Sequence, residues 1–266
     1  MNNGVIGTLS KKDMEKEKII YQKHLDDGIV ERRYGIVVVM DVLGWKNKAN
    51  PEVIKTYVDL INVLRIKILR EWMRVSDNVK DEDLYIIMMS DTICIFLDID
   101  DSYCELNIFK AISEFIVEAL GKSFAFRGAV SRGEYFINKK KNVFSGEAIY
   151  EAIKYAETTD WAGIILTDSI SRALLENNDI DDLKALNLIS YDKIPYKKEV
   201  LDKIAPCYKN LVLVPKTLFP LSKRNIFIDL MDLYEKVLDS DKEDVKVKLE
   251  NTKQFLEFLV EQKYDR

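Results

Sequence analysis

Strand-like and helix-like segments follow one another in the order β-α-β-β-α-β, and this order restricts the fold more than any other feature of the sequence. Apolar residues at positions 54, 58, 61, 64 and 68 recur at helical spacing, whereas residues 34–40 form a continuous, largely β-branched run. The same order defines the ferredoxin-like split unit, in which four antiparallel strands are covered by two helices. We therefore predict an α+β fold with a ferredoxin-like βαββαβ core. The strands are predicted at 34–40, 84–89, 92–97 and 124–130, and the helices at 51–74 and from 108 to a stop at Gly121.

The sheet of this core is predicted to continue further along the chain. Additional elements are expected as strands at 134–137, 142–144 and 163–167 and as a helix at 148–157. The tail from 226 to 262 has a helical pattern. We expect three regions: an N-terminal helical arm at 1–31, the main domain at 32–190, and a mostly helical C-terminal extension at 191–266.

Composition excludes several classes of protein. The chain has 266 residues and a net charge of −5, with acidic and basic residues interspersed, so a sizeable core can form and no broad basic surface for nucleic acid is expected. The three cysteines show no paired metal-ligand spacing, and the single histidine, His24, lies in a polar segment, so neither a zinc site nor Ser-His catalysis is expected. No segment approaches about 20 uninterrupted apolar residues. We expect a cytoplasmic protein without a membrane partner.

Two acidic residues lie where apolar runs end. Asp41 follows the first predicted strand, and Asp91 lies at the tip between the second and third strands. A carboxylate at the end of a buried strand is costly unless a cation or hydrogen-bond donors compensate it. In the split unit these strands are neighbours, so the two carboxylates could converge and hold two divalent cations about 3.5–4 Å apart. The alternative is that both acids simply cap turns, as Asp often does.

The turn after the first strand could bind phosphate. The carbonyl of Val42 could complete a metal coordination shell. The amides of Leu43, Gly44 and Trp45 lie where the chain turns, and glycine allows close backbone approach to phosphate oxygens. Lys46 adds a cation nearby. These residues are therefore candidates for binding a nucleotide's phosphates.

Four motifs follow one another in a characteristic order and spacing between about residues 34 and 168. They are Asp41-Val42-Leu43-Gly44-Trp45, Ser90-Asp91, the segment Phe126-Arg127-Gly128-Ala129-Val130-Ser131-Arg132-Gly133-Glu134, and Gly146-Glu147-Ala148-Ile149-Tyr150-Glu151-Ala152 with Glu157 closing the helix. In this order and spacing the sequence resembles the class III nucleotidyl cyclase domain, and within that superfamily it is most similar to the bacterial Pycsar antiphage pyrimidine cyclases.

The resemblance implies roles for particular residues. Asp41 and Asp91 fall on the metal-binding aspartates of the family, and Arg127 falls on a position that faces the nucleotide. The family's transition-state asparagine and arginine correspond here to Tyr150 and Lys154. Either Lys154 or Arg127 then supplies the cation, or the site is weakened.

The base-reading positions also depart from the purine-specific cyclases. Their lysine and acid correspond here to Ile87 and Val143, so a purine-reading pair is missing. Tyr85 lies on the same strand face as Ile87, because side chains alternate with a period of two, and could contact the base. Packing in the core is the alternative role for Tyr85.

The resemblance implies a homodimer that converts UTP, in preference to CTP, to the 3′,5′-cyclic monophosphate and pyrophosphate with two Mg²⁺ or Mn²⁺ ions. Its product would be a second messenger for a separate effector in antiphage defence. An adenylate or guanylate cyclase is the alternative enzyme. A degenerate domain that binds a nucleotide or a partner protein without turnover is the non-enzymatic alternative.

Overall fold

The computed structural model describes residues 30–45, 50–74, 83–98, 107–200, 208–215, 224–238 and 242–261. In these residues eight strands form one sheet. The strands are β1 (Glu31–Val42), β2 (Leu84–Met89), β3 (Thr92–Asp98), β4 (Phe126–Asn138), β5 (Val143–Ser145), β6 (Ile164–Leu166), β7 (Leu188–Ser190) and β8 (Leu211–Leu213). Their order across the sheet is β2-β3-β1-β4-β6-β8-β7, and β5 pairs with β4.

The helices of the described residues have the following bounds: α1 (Pro51–Met73), α2 (Asn107–Gly121), α3 (Glu147–Thr158), α4 (Asp168–Asn177), α5 (Ile180–Ala185), α6 (Arg224–Val237) and α7 (Glu243–Glu261). The start of α1 is set by Asn50, whose side chain accepts hydrogen bonds from the amides of Glu52 and Val53, and by Pro51 in the first turn.

The order of the first four long strands confirms the predicted fold class. Strands β2, β3, β1 and β4 are neighbours and all pair antiparallel. Residues 36–40 of β1 are buried, as expected for a strand covered on both faces. The chain therefore has the α+β architecture with a βαββαβ core that its sequence predicts.

Helices cover both faces of this core. On one face, the ring of Phe126 packs against Tyr57 of α1 and Phe115 of α2. On the other face, the hydroxyl of Ser131 donates a hydrogen bond to the carbonyl of Ala148 in α3, at 2.5 Å. Asp41 lies on this second face, because its cross-strand partner Arg127 has the same parity along β4 as Ser131. We call this second face of the sheet, which carries Asp41, Arg127 and Ser131, the Asp41 face.

Strand β4 differs from the prediction. The segments 124–130 and 134–137 were predicted as two strands, but they form one strand of 13 residues. The reason is β1, which pairs with β4 without interruption from Val42 opposite Phe126 to Glu31 opposite Ile137. The short strands β5 and β6 extend the sheet as predicted.

The C-terminal part of the chain contributes to the same sheet. Strand β8 lies between β6 and β7, and the tail forms two helices, α6 and α7, where the sequence indicated one helical stretch. Rings of Trp161, Tyr191 and Phe255 pack together and attach α7 to the loop before β6, with centroids of Phe255 4.9 Å from each of the other two. The amide of Ala162 also donates to the hydroxyl of Thr252 in α7, at 2.9 Å. The predicted N-terminal arm lies outside the described residues, apart from its last two positions.

Candidate active site

Asp41 lies one residue before the end of β1, between two strands that each present a polar side chain to it. Its cross-strand partners are Thr92 of β3 and Arg127 of β4. Directly opposed residues on an antiparallel pair lie on the same face, so the three side chains are adjacent. The Asp41 carboxylate is only 24% exposed. Its position is therefore fixed by sheet register rather than by a flexible loop.

Arg127 forms an ion pair with Asp41. Its Nη2 lies 2.9 Å and its Nε 3.2 Å from Oδ2 of the carboxylate. Among the described residues, the other oxygen, Oδ1, accepts only a long contact from the hydroxyl of Thr92, at 3.4 Å. One carboxylate oxygen is thus taken by a guanidinium, while the other is weakly held.

Asp91 lies in the turn between β2 and β3, beside the end of β1. Ser90 before it has φ 58°, a left-handed conformation that closes this short turn. The amide of Val42 donates to the carbonyl of Asp91 at 2.9 Å, and the buried hydroxyl of Tyr57 lies 3.3 Å from the same carbonyl. These bonds place the Asp91 backbone next to the residue that follows Asp41.

The two carboxylates are close enough to influence each other. Burial raises the pKa of Asp41, the Arg127 guanidinium opposes this effect, and the negative charge of Asp91 raises the pKa further. Burial has the largest effect on this pKa, so Arg127 and Thr92 only partly offset the free-energy cost of keeping Asp41 ionised. An additional cation between the two acids would be favoured electrostatically.

We expect Tyr57→Phe to lower the free energy of unfolding by about 1 kcal/mol, because the hydrogen bond to the Asp91 carbonyl is lost while the ring and its packing are kept. Denaturant titration of the two proteins measures this difference. Tyr150→Phe is the matched control, since Tyr150 is 69% exposed and its hydroxyl change should leave stability unaltered. Equal stability of Tyr57→Phe and the wild type would show that this hydrogen bond does not hold the turn.

The oxygen donors of the site fit Mg²⁺ or Mn²⁺. Such ions are typically held by one or two carboxylates together with substrate phosphates rather than by a cage of protein ligands. Asp41 Oδ1, the Asp91 carboxylate and the Val42 carbonyl, which points to the same side of β1 as the Val42 amide, are donors of this kind. Within the described residues no group of three or more His, Cys, Asp or Glu is arranged to hold a metal ion. The described residues therefore offer two carboxylates and one backbone carbonyl at this site, fewer donors than a metal site built from protein ligands alone would need.

The turn after β1 is only partly available for phosphate. The amide of Leu43 donates to the carbonyl of Ala125 at 2.9 Å, so it belongs to the sheet and cannot also bind a phosphate oxygen. Gly44 has φ 75° and is exposed, which fits a close backbone approach. The ring of Trp45 packs against Tyr57, with centroids 4.8 Å apart. Lys46 lies outside the described residues.

Tyr85 lies on the Asp41 face but is occupied by contacts within the protein. Its ring packs against Phe96, and its hydroxyl lies 2.7 Å from Oδ1 of Asn142 and 3.3 Å from the carbonyl of Lys139. The tyrosine thus anchors the turn between β4 and β5 to the edge strand β2. A contact to a base would require this hydroxyl to exchange partners.

The two candidates on α3 make no direct contact with the acids in the described part of the chain. Tyr150 is exposed, and the Lys154 ammonium lies 5.9 Å from the centre of the Tyr155 ring. Among the described residues, neither Tyr150 nor Lys154 forms a hydrogen bond or ion pair with Asp41 or Asp91, and Arg127 is the cation that pairs with Asp41.

A second polar cluster on the Asp41 face was not predicted from the sequence. Near the other end of the strands, Asp98 accepts hydrogen bonds from Arg33 and from the buried hydroxyl of Tyr135, and Arg33 also pairs with Glu31. Burial raises the pKa of Asp98, against the opposing effects of Tyr135 and Arg33. The only signal in the sequence was an acid at the end of an apolar run, which is also the signal at Asp41.

We expect the stability of the wild type, relative to Asp98→Asn, to fall as the pH rises from about 4 to 7. The pKa of Asp98 is raised in the folded state, so the folded protein holds this proton more tightly than the unfolded chain, and that stabilisation is lost as the pH passes the folded pKa. Denaturant titrations of both proteins at several pH values measure the difference.

Asp244→Asn is the control of opposite sign. Lys248 lowers the pKa of Asp244, so there the wild type should gain stability over the variant as the pH rises. If the wild type instead gained stability relative to Asp98→Asn as the pH rose, the lowering of the Asp98 pKa by Arg33 and Tyr135 would outweigh its raising by burial.

Comparisons with known proteins give similar structures but no sequence match. No protein-family model and no curated protein matches the chain. A crystal structure of the catalytic core of a rhodopsin-guanylyl cyclase with converted specificity, in complex with ATPalphaS, is 10% identical, with a TM-score of 0.41 over 64% of this chain and 94% of that chain. The adenylyl cyclase CyaB from P. aeruginosa is 12% identical, with a TM-score of 0.39 over 70% of this chain and 93% of that chain. Separately, none of the helices in the described ranges has the length and apolar character needed to span a membrane.

Proposed function

We propose that this protein is a nucleotidyl cyclase of the class III type that converts a pyrimidine nucleoside triphosphate, UTP in preference to CTP, to its 3′,5′-cyclic monophosphate and pyrophosphate. The observation that carries the proposal is that Asp41 and Asp91 lie at the same end of the sheet. There the amide of Val42, the residue after Asp41, donates a hydrogen bond to the carbonyl of Asp91. The resemblance of the motifs around both residues to the cyclase domain supports the same assignment.

The reaction exchanges one oxygen for another at the α-phosphorus and releases one proton. The ribose 3′-oxygen bonds to the α-phosphorus, the bond from that phosphorus to the bridging oxygen breaks, pyrophosphate leaves, and the hydroxyl proton is released. When bound, Mg²⁺ or Mn²⁺ lowers the pKa of the attacking hydroxyl and stabilises the leaving pyrophosphate. Asp41 and Asp91 would hold these ions, with the Val42 carbonyl as a further donor.

The other residues of the site position the nucleotide. The exposed backbone at Gly44 approaches the phosphates, and Arg127, at the same end of the sheet, pairs with them. Among the described residues no histidine lies beside Asp41, and the single histidine of the chain, His24, falls outside them. Bound cations would then supply the activation of the hydroxyl.

Selection of a pyrimidine is supported by what replaces the purine-reading pair. Ile87 is buried on the Asp41 face and Val143 begins β5, so neither position carries a charged or hydrogen-bonding side chain. A site built to hydrogen-bond a base rejects analogues that lack the matching groups. We therefore propose that purines lose their usual contacts here.

We propose that the active form is a homodimer, in which α3 of one copy approaches the Asp41 face of the other. Tyr150, at 69% exposure, would contact the second copy in this arrangement, and Lys154 would supply a second cation. The cyclic product would serve as a second messenger for a separate effector in bacterial defence against phage.

Incubation with ATP, GTP, CTP and UTP in Mg²⁺ or Mn²⁺, with products identified by mass spectrometry, tests the proposal. Cyclic UMP or cyclic CMP is the expected product. Turnover of ATP or GTP alone would replace the pyrimidine assignment with a purine cyclase. Calorimetric binding of a nucleotide without product at any metal concentration would favour a binding module, a role that Tyr150 and Lys154 suggest in place of the family's asparagine and arginine.

A further inference from the structure

Arg127 occupies the carboxylate that the proposed function assigns to metal. Both of its hydrogen bonds go to Oδ2 of Asp41. The side chain of Arg127 is 16% exposed and that of Asp41 is 24% exposed, so water screens this ion pair less than it screens a pair on the surface. A guanidinium with two donors on one oxygen satisfies much of that oxygen's capacity to accept. The Arg127 guanidinium therefore competes with any other cation for the Asp41 carboxylate.

A divalent ion and this guanidinium cannot both be held closely without cost. The second oxygen, Oδ1, which accepts only the long Thr92 contact described above, belongs to the same carboxylate, so an ion there lies within a few ångströms of the positive charge of Arg127. The negative charge of Asp91, at the same end of the sheet, also attracts the ion. Full use of both acids by metal requires the guanidinium to turn away.

The backbone beneath Arg127 cannot make this movement. Arg127 is paired with Asp41 across the β1–β4 ladder, and at Gly128 the strands approach so closely that an added Cβ would lie 2.4 Å from the Val39 carbonyl oxygen. Only the side chain can leave, and it needs another anionic partner at the same end of the sheet. The phosphates of a nucleotide are such a partner, because guanidinium groups pair with them in bidentate geometry.

We infer that Arg127 couples metal binding to nucleotide binding: without a nucleotide it screens Asp41 and weakens metal binding, and a triphosphate draws it away and exposes Asp41 to the ion. This inference rests on the proposed function for the identity of the nucleotide. Metal and nucleotide then bind with positive cooperativity, and neither is held tightly alone. Arg127 acts as a positioning residue for Asp41 in the free protein.

The first test measures Mn²⁺ binding without nucleotide, by electron paramagnetic resonance of the free ion. Arg127→Gln is expected to bind Mn²⁺ about 10-fold more tightly than the wild type, because removal of the screening charge relieves a coupling of the usual size. Arg172→Gln is the matched control, since Arg172 pairs with Asp168 on α4 and its loss reports only a change in net charge. Equal or weaker Mn²⁺ binding by Arg127→Gln would overturn the inference.

A double-mutant cycle assigns the effect to Asp41. In an Asp41→Asn background the Arg127→Gln change should leave Mn²⁺ binding unaltered, because the screened carboxylate is absent. The same gain in both backgrounds would mean that Arg127 repels the ion from elsewhere, and the inference would fail.

A measurement on the wild type covers the case in which Arg127→Gln does not fold. The side-chain Nε–H resonance of Arg127, assigned by its loss in Arg127→Lys, should shift when Mg²⁺ is added without nucleotide and should not shift in Asp41→Asn. An unchanged resonance at saturating Mg²⁺ would overturn the inference. These binding experiments need no turnover, so a protein that forms no cyclic nucleotide but shows the Mn²⁺ gain would refute the proposed reaction and leave the screening of Asp41 by Arg127 intact.

Discussion

Asp41→Asn is expected to reduce cyclase activity by more than about 100-fold, because residues that merely orient a metal ligand already contribute about 10–100-fold and Asp41 would be a ligand itself. The amide keeps the shape of the side chain but removes the charge that attracts a cation. Asp91→Asn should have a similar effect. Initial rates of product formation across a range of Mn²⁺ concentrations measure both losses.

The control for these variants is Asp168→Asn. Asp168 is also an aspartate close to a strand end, two residues after β6, but it begins α4 and pairs with the exposed Arg172. Its replacement should leave the rate within about twofold of the wild type, as for most surface changes. Activity of Asp41→Asn within about tenfold of the wild type, in a protein that unfolds at the same denaturant concentration, would show that Asp41 is not a metal ligand.

Phe255→Ala is expected to lower the free energy of unfolding by about 3–5 kcal/mol, the usual cost of removing a buried aromatic ring. Phe255 is 2% exposed, and its ring lies between Trp161 and Tyr191, which join α7 to the loop before β6. The neighbouring ring of Trp161 is itself fully buried, so it has little freedom to move into the cavity that the substitution leaves. Urea titration of the purified variant measures the loss.

Val247→Ala is the matched control on the same helix. Val247 is 40% exposed, so its truncation should change stability by no more than about 0.5 kcal/mol. A loss below about 1 kcal/mol in Phe255→Ala would mean that α7 is dispensable for the main domain and that the ring cluster is only a local contact.

The strands that hold the two acids could be predicted from the sequence to within a few residues. The first is a continuous apolar run with β-branched residues, and the next two are separated by Ser90-Asp91, so each has clear ends. Neighbouring strands in the split unit then place Asp41 and Asp91 at the same end. Local pattern was sufficient here because β1 and β3 are buried on both faces over most of their length, whereas the edge strand β2 ends in exposed Met88 and Met89.

The partner of Asp41 could not be predicted in this way. The family resemblance implied a position facing the nucleotide for Arg127, but its contact with Asp41 depends on the register between β1 and β4, two strands that are distant in sequence. The same cause explains β4, where Ser131-Arg132-Gly133 looked like an interruption. Polar residues and a glycine in a long strand are tolerated when β1 supplies a partner for each position.

Short elements and side-chain clusters were also beyond the pattern. Helix α5 has six residues, too few for a helical period to be recognised. The hydrogen bonds of Asp98 come from Arg33 and Tyr135, which are distant in sequence and meet only when β3, β1 and β4 are aligned. Positions of this kind become visible only after the sheet order is known.

The pairing of β1 with β4 has a consequence for how this protein is made. Asp41 and Arg127 are separated by 86 positions, and contacts of such long range form slowly because a large loop must close first. A chain still on the ribosome carries both acids, and the β1–β3 pairing that brings them together, before β4 has emerged with Arg127. The ion pair between Arg127 and Asp41 therefore forms late in folding, and a polypeptide that ends before β4 lacks the guanidinium that holds Asp41.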